Sequence, residues 1–165
     1  MITVILAAIF VVLCLFAAGH DVATLRIPNK LNAAIALLFI PAAVAAGLAW
    51  QVAGWHIAAG AIAFAVSFLL FNLGVFGGGD AKMIPGVVLW LGPAGVYPFV
   101  FWMALSGGAL VFATLLVRRF APAEAYPGFA QDFRSKGAGV PYGVAIAVGA
   151  IVAAPMSPVL ATLFS

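Results

Sequence analysis

Long apolar runs without a charge dominate this chain. Residues 2–19 form one such run, and residues 83–117 form another that is about twice as long. A helix of about 20 apolar residues is long enough to cross the hydrocarbon core of a bilayer. Only 7% of the 165 residues are charged and 67% are hydrophobic, whereas soluble domains are about half apolar. The sequence therefore predicts an all-α, polytopic membrane protein, folded as a single membrane-embedded domain over residues 1–165.

The apolar runs, separated by charges, glycines and prolines, predict a bundle of about six transmembrane helices. We expect these helices at about residues 2–19, 31–48 and 57–76, then a short fourth from 83, a fifth from about 97 and a sixth over 141–163. The run 83–117 is too long for one span and tight for two, so we expect the Gly92–Gly95 cluster to divide it. No Lys or Arg precedes Arg26, so the first run lacks the charged start of a cleavable signal peptide and is predicted to be retained as a helix.

Polar and aromatic residues mark the ends and interruptions of these helices. Proline fixes φ, so we expect Ile27–Asn29 to turn the chain and Asn29 to cap the second helix. Ser67 and Asn72 interrupt the third helix, and we expect their side chains to bond to a neighbouring helix or to their own backbone. Tryptophans favour the headgroup level, so the exit from the second helix is predicted at Trp50, Gln51, Trp55 and His56.

The positive residues indicate how the chain lies in the membrane. Six spans would place all seven Lys and Arg on one face, which the positive-inside rule assigns to the cytoplasm. We therefore expect a multi-pass membrane protein whose positive face is cytoplasmic. The net charge of +3 is accounted for by topology and lipid headgroups, so no nucleic-acid partner is expected. The positive residues are Arg26, Lys30, Lys82, Arg118, Arg119, Arg134 and Lys136.

Two of the four acidic residues border apolar runs. Asp21 ends the first run and Asp80 begins the long one, whereas Glu124 and Asp132 lie in the polar loop 118–140. An ionisable group near membrane depth costs at least about 2 kcal/mol and is by default a functional residue. Six spans would place Asp21 and Asp80 at the same cytoplasmic edge, so each is the candidate partner of the other.

Two carboxylates held close together favour sharing one proton, because both cannot ionise cheaply. The ionised member can activate a water molecule while the protonated member polarises a scissile carbonyl. This chemistry requires neither a metal ion nor a nucleophilic serine, and no cofactor is expected. The single cysteine, Cys14, allows no internal disulfide and no zinc site built on cysteines. The sequence alone leaves open whether the two acids meet.

Three motifs in chain order resemble those of the type IV prepilin peptidases, a family of aspartic membrane proteases of the GxGD type. They are Asp21 followed by Arg26–Asn29, then Gly77–Lys82, then Val140–Gly143 at the start of the last span. The resemblance implies that Asp21 and Asp80 are the catalytic pair. It also implies that the chain removes the leader of prepilins at the cytoplasmic face, just after a glycine that precedes the hydrophobic helix of the pilin.

Within that family, the small size and the Gly-Gly-Gly-Asp-Ala-Lys form of residues 77–82 most resemble the Tad/Cpa branch, which serves Flp-type pili. The resemblance implies a location in the bacterial inner membrane, a prepilin substrate, contact with membrane lipid and association with the pilus assembly machinery. Larger members carry a domain with a four-cysteine zinc motif and also methylate the new N-terminus. This chain has one cysteine, so methylation is not predicted.

The glycines and the histidine next to the acids have candidate roles too. Gly77, Gly78 and Gly79 carry no Cβ, so we expect them to give a substrate backbone room to approach Asp80. His20 precedes Asp21 directly and is a candidate base, although adjacent residues on a helix point in different directions.

Charged and turn residues are further candidates for supporting or substrate-binding roles. Arg26 and Lys30 are candidates for attracting the acidic residue that follows the cut in Flp-type substrates. Lys82 either anchors its helix at the membrane surface or tunes the acids. The turn residues and the first residues of the last span complete the set, although proline is also typical of an ordinary helix start. These residues are Pro28, Asn29, Pro141, Tyr142 and Gly143, the last three as candidates for shaping the cleft.

A proton-coupled transporter or channel component is the alternative function, since acids in membranes also relay protons. That function predicts acids facing an aqueous path to both sides, whereas the charges here are predicted at one edge. Structural alternatives stay open for each acid. Asp80 could pair with Lys82 or cap a helix, and Asp21 could be a solvated loop residue.

Overall fold

The computed structural model describes residues 1–120 and 139–164, and all regular structure in these residues is helical. Its five α-helices are α1 (Ile2–Thr24), α2 (Asn29–Ala45), α3 (Trp50–Asn72), α4 (Asp80–Phe120) and α5 (Gly143–Ala153). Two short 3₁₀ helices, Ala154–Met156 and Leu160–Leu163, follow α5. The predicted all-α class is confirmed.

Helix α4 bends sharply at Gly92, whose backbone angles (φ 66°, ψ −177°) are not helical. In one straight helix, residues 80 and 107 would lie about 40 Å apart. The ring of Tyr142 nevertheless lies 5.8 Å from that of Phe76, just before α4, and also against Gly107, where an added Cβ would come within 2.6 Å of it. The chain therefore folds back into two legs, residues 80–91 and 93–120. The bend lies within the cluster predicted to divide this run, and the second leg begins before the predicted residue 97.

The helix termini gather at two ends of the bundle. At the acid end, defined by Asp21 and Asp80, the last turn of α1 meets the first turns of α2, α4 and α5. At the kink end, defined by His56, Gly92 and Ser157, the start of α3 meets the bend of α4 and the segment after α5. Successive helices, with α4 counted as two legs, therefore alternate in direction between the two ends.

The helix lengths do not confirm six membrane spans. Three helical stretches are long and apolar enough to span a bilayer: Ile2–Thr24, Trp50–Asn72 and Asp80–Val117, the last of which includes the bend. The 17 residues of α2 extend only about 26 Å, against a hydrocarbon core of about 30 Å. The sixth span predicted over 141–163 is also too long, because α5 ends at Ala153. Pro155 and Pro158 follow, and a proline cannot donate a helical hydrogen bond.

Two predicted helix boundaries near the first loops are wrong. Helix α1 continues past residue 19 to Thr24, so Asp21 lies on its last turn rather than beyond it. Helix α3 already begins at Trp50, because the apolar pattern continues through the tryptophans. The residues predicted at the exit from the second helix therefore lie inside α3, and His56 among them is buried.

Other polar residues also differ from the prediction. Asn29 begins α2 but makes no capping bond, because its side chain accepts a hydrogen bond from Lys82 instead. Asn72 donates to the carbonyl four residues earlier, as predicted, whereas Ser67 makes no hydrogen bond to the part of the chain that is described. Helix α4 extends through Arg118 and Arg119, which were predicted in the polar loop. Glu124, Asp132, Arg134 and Lys136 lie outside the described residues.

The core around the first leg of α4 fixes the position of Asp80. Trp90 is fully buried and stacks on Phe10 of α1 with 4.6 Å between ring centroids. Its indole N–H donates to the carbonyl of Ile35 in α2 at 2.8 Å. In a membrane, close packing and hydrogen bonds of this kind hold helices together. Because Asp80 begins the same leg, this packing sets the height and rotation of its side chain at the acid end.

Two side chains satisfy carbonyl groups that the bend at Gly92 leaves without helical partners. Pro93 has no N–H to donate to the carbonyl of Leu89, and the Nδ1–H of His56 donates to it instead at 2.9 Å. The hydroxyl of Ser157 donates to the carbonyl of Trp90 at 2.6 Å. A Cβ at Gly92 would come within 2.5 Å of the His56 ring, so glycine is required at the bend.

Candidate active site

Asp21 is held in the last turn of α1 by the start of α5. Its side chain is only 5% exposed, and its Oδ2 accepts a hydrogen bond of 2.8 Å from the backbone N–H of Gly143. A Cβ on Gly143 would lie 3.0 Å from that oxygen and 3.1 Å from the side chain of Ile27. Glycine at 143 therefore allows α5 to begin directly against the carboxylate.

A tight turn after α1 leads the chain past Asp21 and into α2. Leu25 takes a left-handed φ of 53°, which costs roughly 1–2 kcal/mol for a residue other than glycine, and its N–H donates to the carbonyl of Asp21 at 2.8 Å. The Nδ1–H of His20 donates to the carbonyl of Arg26 at 2.7 Å. This nitrogen of the candidate base is thus bonded to the turn, and the turn brings Arg26 beside the acids.

Asp80 is the first residue of α4, and the three glycines before it pack closely. A Cβ on Gly77 would lie 3.0 Å from the Asp80 carboxylate, and a Cβ on Gly79 would lie 3.1 Å from Ile27. These glycines therefore do more than leave room for a substrate backbone. Two of them also let parts of the chain itself approach each other.

Two asparagines of α2 connect its first turns to the segment around Asp80. The Nδ2 of Asn32 donates to the carbonyl of Gly79 at 3.1 Å, and Asn32 is buried. The Oδ1 of Asn29 accepts a hydrogen bond of 2.9 Å from Nζ of Lys82, at an exposed position. These bonds hold the start of α4 against the start of α2.

Asp21 and Asp80 line one cavity of about 240 Å³ at the acid end. At about 30 Å³ per water molecule, this volume has room for several waters. The two carboxyl groups are close enough for the charge of Asp21 to act on Asp80. The remaining lining residues come from the turn after α1 and from the glycine segment: Leu25, Arg26, Ile27, Gly77, Gly78 and Gly79.

Tyr142, the residue before α5, lies near this cavity. Its ring sits between Phe76 and Gly107. Burial raises the pKa of its hydroxyl, and the negative charge of Asp80 raises it further. The hydroxyl therefore stays protonated near the acid and is available as a hydrogen-bond donor.

The residues predicted for the site divide into two groups. Those that line the cavity or lie beside it are Asp21, Asp80, Gly77, Gly78, Gly79, Arg26 and Tyr142. Pro28, Asn29, Lys82 and Pro141 belong instead to the turns and helix starts around it, and Lys30 is exposed outside the lining.

Sequence reasoning did not single out Ile27 or Asn32 as site residues. Gly143, which ends the Val140–Gly143 motif, was a candidate for shaping the cleft, and its N–H bonds to Asp21. Asn32 carried only the weak signal of a polar side chain on an apolar helix. Its bond to the glycine segment joins residues 47 positions apart, which no local pattern predicts.

A comparison with protein families places this geometry among known proteins. Residues 8–112, which include both Asp21 and Asp80, match the Type IV leader peptidase family. The chain belongs to this family. The resemblance to prepilin peptidases found in the sequence is thereby confirmed. No curated protein and no solved structure gives a significant match.

Membership of the Type IV leader peptidase family makes this protein a peptidase, and its long apolar helices agree with a membrane protein. The match ends before Tyr142 and Gly143, so the bond of Gly143 to Asp21 and the position of Tyr142 near Asp80 come from the fold alone. Among the described residues of this leader peptidase, no three His, Cys, Asp or Glu side chains form a group that could hold a metal ion.

Proposed function

We propose that this leader peptidase is an aspartic endopeptidase that cuts Flp-type prepilins just after the glycine preceding their hydrophobic helix. The observation that carries the proposal is the single cavity lined by both Asp21 and Asp80. These acids are 59 positions apart in the chain, and an isolated loop acid or a helix cap would have no reason to face the other. The family match supports the reaction class, and the shared cavity supports Asp21 and Asp80 as the residues that carry the reaction.

In the proposed mechanism the two carboxyl groups share one proton. The ionised carboxylate takes a proton from a water molecule as the water oxygen attacks the scissile carbonyl carbon, while the protonated carboxyl donates to the carbonyl oxygen. When the tetrahedral intermediate collapses, the C–N bond breaks and the leaving amine takes the proton that the first carboxylate accepted. The N–H of Gly143 keeps the Asp21 oxygen in place throughout.

The proposed location of the reaction is the cytoplasmic face of the bacterial inner membrane. Arg26, Lys30 and Lys82 all belong to the loops and helix starts of the acid end, and positive residues near helix ends favour the cytoplasm. The bend at Gly92 returns α4 to the acid end, which a topology of six passes requires. Both observations support a cytoplasmic acid end.

The Flp-type substrate is supported by the short chain, by the Gly-Gly-Gly-Asp-Ala-Lys form of residues 77–82 and by Arg26. The guanidinium group belongs to a residue that lines the cavity, so it is suited to a substrate with an acidic residue shortly after the cut. Lys30 and Lys82 do not line this cavity, and we therefore assign this contact to Arg26 alone.

Replacing either acid tests the proposed function. We expect Asp21→Asn and Asp80→Asn each to lower leader removal from a purified Flp-type prepilin by at least about 10³-fold, because one member of the proton-sharing pair is lost. Each variant should keep its thermal transition in detergent, since the amide preserves the shape of the side chain. Wild-type cleavage should also continue in EDTA.

Asn72→Asp is the matched control, because Asn72 is exposed and bonds only within its own helix. It should cleave at the wild-type rate. Normal processing by either aspartate variant would refute the assignment, and activity lost in EDTA and restored by zinc would refute the metal-free mechanism.

A further inference from the structure

An apolar groove runs along the bundle between α3 and both legs of α4. Its volume is about 540 Å³, and its lining on α3 extends from Trp55 to Leu70, about 22 Å along the helix axis. Trp55 and Ile62 on its rim are 67% and 66% exposed, so the groove opens sideways from the bundle. It therefore extends over most of the thickness of a bilayer core.

The groove begins at the acid cavity. Phe76 lines the groove and is followed directly by Gly77, which lines the cavity. On α4, Ile84 and Val88 line the groove, and they lie one and two turns after Asp80 on the same face of the helix. A chain leaving the two acids toward the membrane interior would therefore enter the groove within one helical turn.

The wall of the groove on α3 is suited to a second helix. Ala59 and Ala63 line it, and small residues of this kind let two helix backbones approach closely in a membrane. Ser67 lines it too and is 2% exposed. Its hydroxyl makes no hydrogen bond within residues 1–120 and 139–164. An occupant with a polar atom at this depth could accept a hydrogen bond from it.

We infer that this groove binds the hydrophobic helix of the prepilin that follows the scissile bond. The inference rests on the proposed function, because that function fixes the cut at the acids and the start of the substrate helix immediately after it. An apolar helix that begins at the cut must continue into the membrane, and the groove is the apolar surface that begins there. Docking along it presents the peptide bond before the helix to Asp21 and Asp80.

Photo-crosslinking tests the position of the substrate helix. A benzophenone amino acid is placed at Val66, which lines the groove, or at Ala65, which is exposed on α3 and does not line it. Both are made in the Asp80→Asn background and co-reconstituted with a prepilin that carries its leader, cleavage glycine and hydrophobic helix. We expect a crosslink to the prepilin helix from position 66 and at least about fivefold less from position 65.

Cleavage kinetics give a second measurement. We expect Ala63→Phe to raise KM about tenfold for the full prepilin and to leave unchanged the cleavage of a leader-junction peptide that lacks the helix. Ala65→Phe adds the same volume to the exposed side of α3 and should change neither substrate. The kinetic split separates docking from damage to the acids, which would affect both substrates equally.

The outcomes distinguish this inference from the proposed function. Wild-type protein that leaves both substrates intact would refute the proposed function, whereas crosslinking of the intact prepilin reports on the groove independently. Equal crosslinking from positions 65 and 66, or crosslinks from position 66 only to lipid or to a second copy of this chain, would overturn the docking site. Equal loss of both cleavage reactions in Ala63→Phe, or unchanged KM for the full prepilin, would overturn it as well.

Discussion

The acid end and the kink end of this bundle use the same kinds of residue for different purposes. Both have glycines at close approaches and polar side chains at buried positions. At the kink end, His56 and Ser157 bond to carbonyl groups that the bend in α4 frees. At the acid end, the carboxyl groups of Asp21 and Asp80 face a shared cavity. His56 also lines a cavity, of about 430 Å³, but the hydrogen bonds of the kink end complete the fold. Only at the acid end do two carboxyl groups of the described residues lie on one cavity.

This contrast shows how structural and functional polar residues can be separated in a membrane protein. Burial alone does not do so, because His56 is 2% exposed and Asp21 is 5% exposed. The deciding observation is what each polar atom contacts. A side chain bonded to an orphaned backbone group in the same bundle is structural, and one with an oxygen on a cavity is a candidate for chemistry.

Enlarging Gly143 should give the largest effect after loss of an acid. Gly143→Val would press on Asp21, since even a Cβ would lie 3.0 Å from its Oδ2. Displacing a catalytic group by about 1 Å can lower activity about 100-fold, and we expect a loss of that order in kcat for prepilin cleavage. Gly143→Ala should fall between this variant and the wild type, at about a tenfold loss.

Gly19→Val is the control for Gly143. Gly19 lies on α1 two residues before Asp21, but an added Cβ meets nothing within 4 Å. Its activity should stay within about twofold of the wild type. Full activity of Gly143→Val in folded protein would mean that the contact with α5 does not position the acid.

Removing the imidazole at the kink end should weaken the fold and spare the chemistry. His56→Phe leaves the carbonyl of Leu89 without a donor, because Pro93 supplies none. An unsatisfied buried acceptor costs about 1–3 kcal/mol, so we expect a lower free energy of unfolding in detergent titrations and an unchanged kcat per folded molecule. Gln51→Leu, on the exposed first turn of the same helix, should change neither quantity. A loss of kcat without a loss of stability would mean that His56 contributes to the reaction and not only to the fold.

The sequence predicted the parts of this architecture that depend on local chemistry. The division of the long apolar run at Gly92 followed from adjacent glycine and proline. The scarcity of acids made Asp21 and Asp80 candidate partners, but whether they meet depended on the fold. The role of His56 was misread, because tryptophans nearby suggested a headgroup boundary. Its bond to Leu89 crosses 33 residues. Such bonds depend on how helices pack, which neither periodicity nor composition specifies.

Arg26 and Lys30 offer a matched pair of positive residues at the acid end, of which only Arg26 lines the cavity. We expect Arg26→Gln to raise KM about fivefold, equivalent to about 1 kcal/mol, for a prepilin with an acidic residue after the cut. Lys30→Gln should stay within about twofold. When the acidic residue of the substrate is changed to Gln, Arg26→Gln should cause no further rise in KM. A double-mutant cycle measures this coupling. Equal effects of the two variants would indicate a general attraction to the positive surface.

The bond between Lys82 and Asn29 should have the smallest effect, although Lys82 is only two residues from Asp80. Both side chains are exposed, and a polar pair open to solvent contributes little, since water replaces each partner. Lys82→Met should therefore change the free energy of unfolding by no more than about 0.5 kcal/mol and activity by less than about twofold. Asn32→Leu breaks the buried bond to the same segment and should lower activity several-fold more than Lys82→Met. A larger loss from Lys82→Met than from Asn32→Leu would mean that the charge of Lys82 acts on the acids, so its position next to the cavity would have a direct role in the reaction.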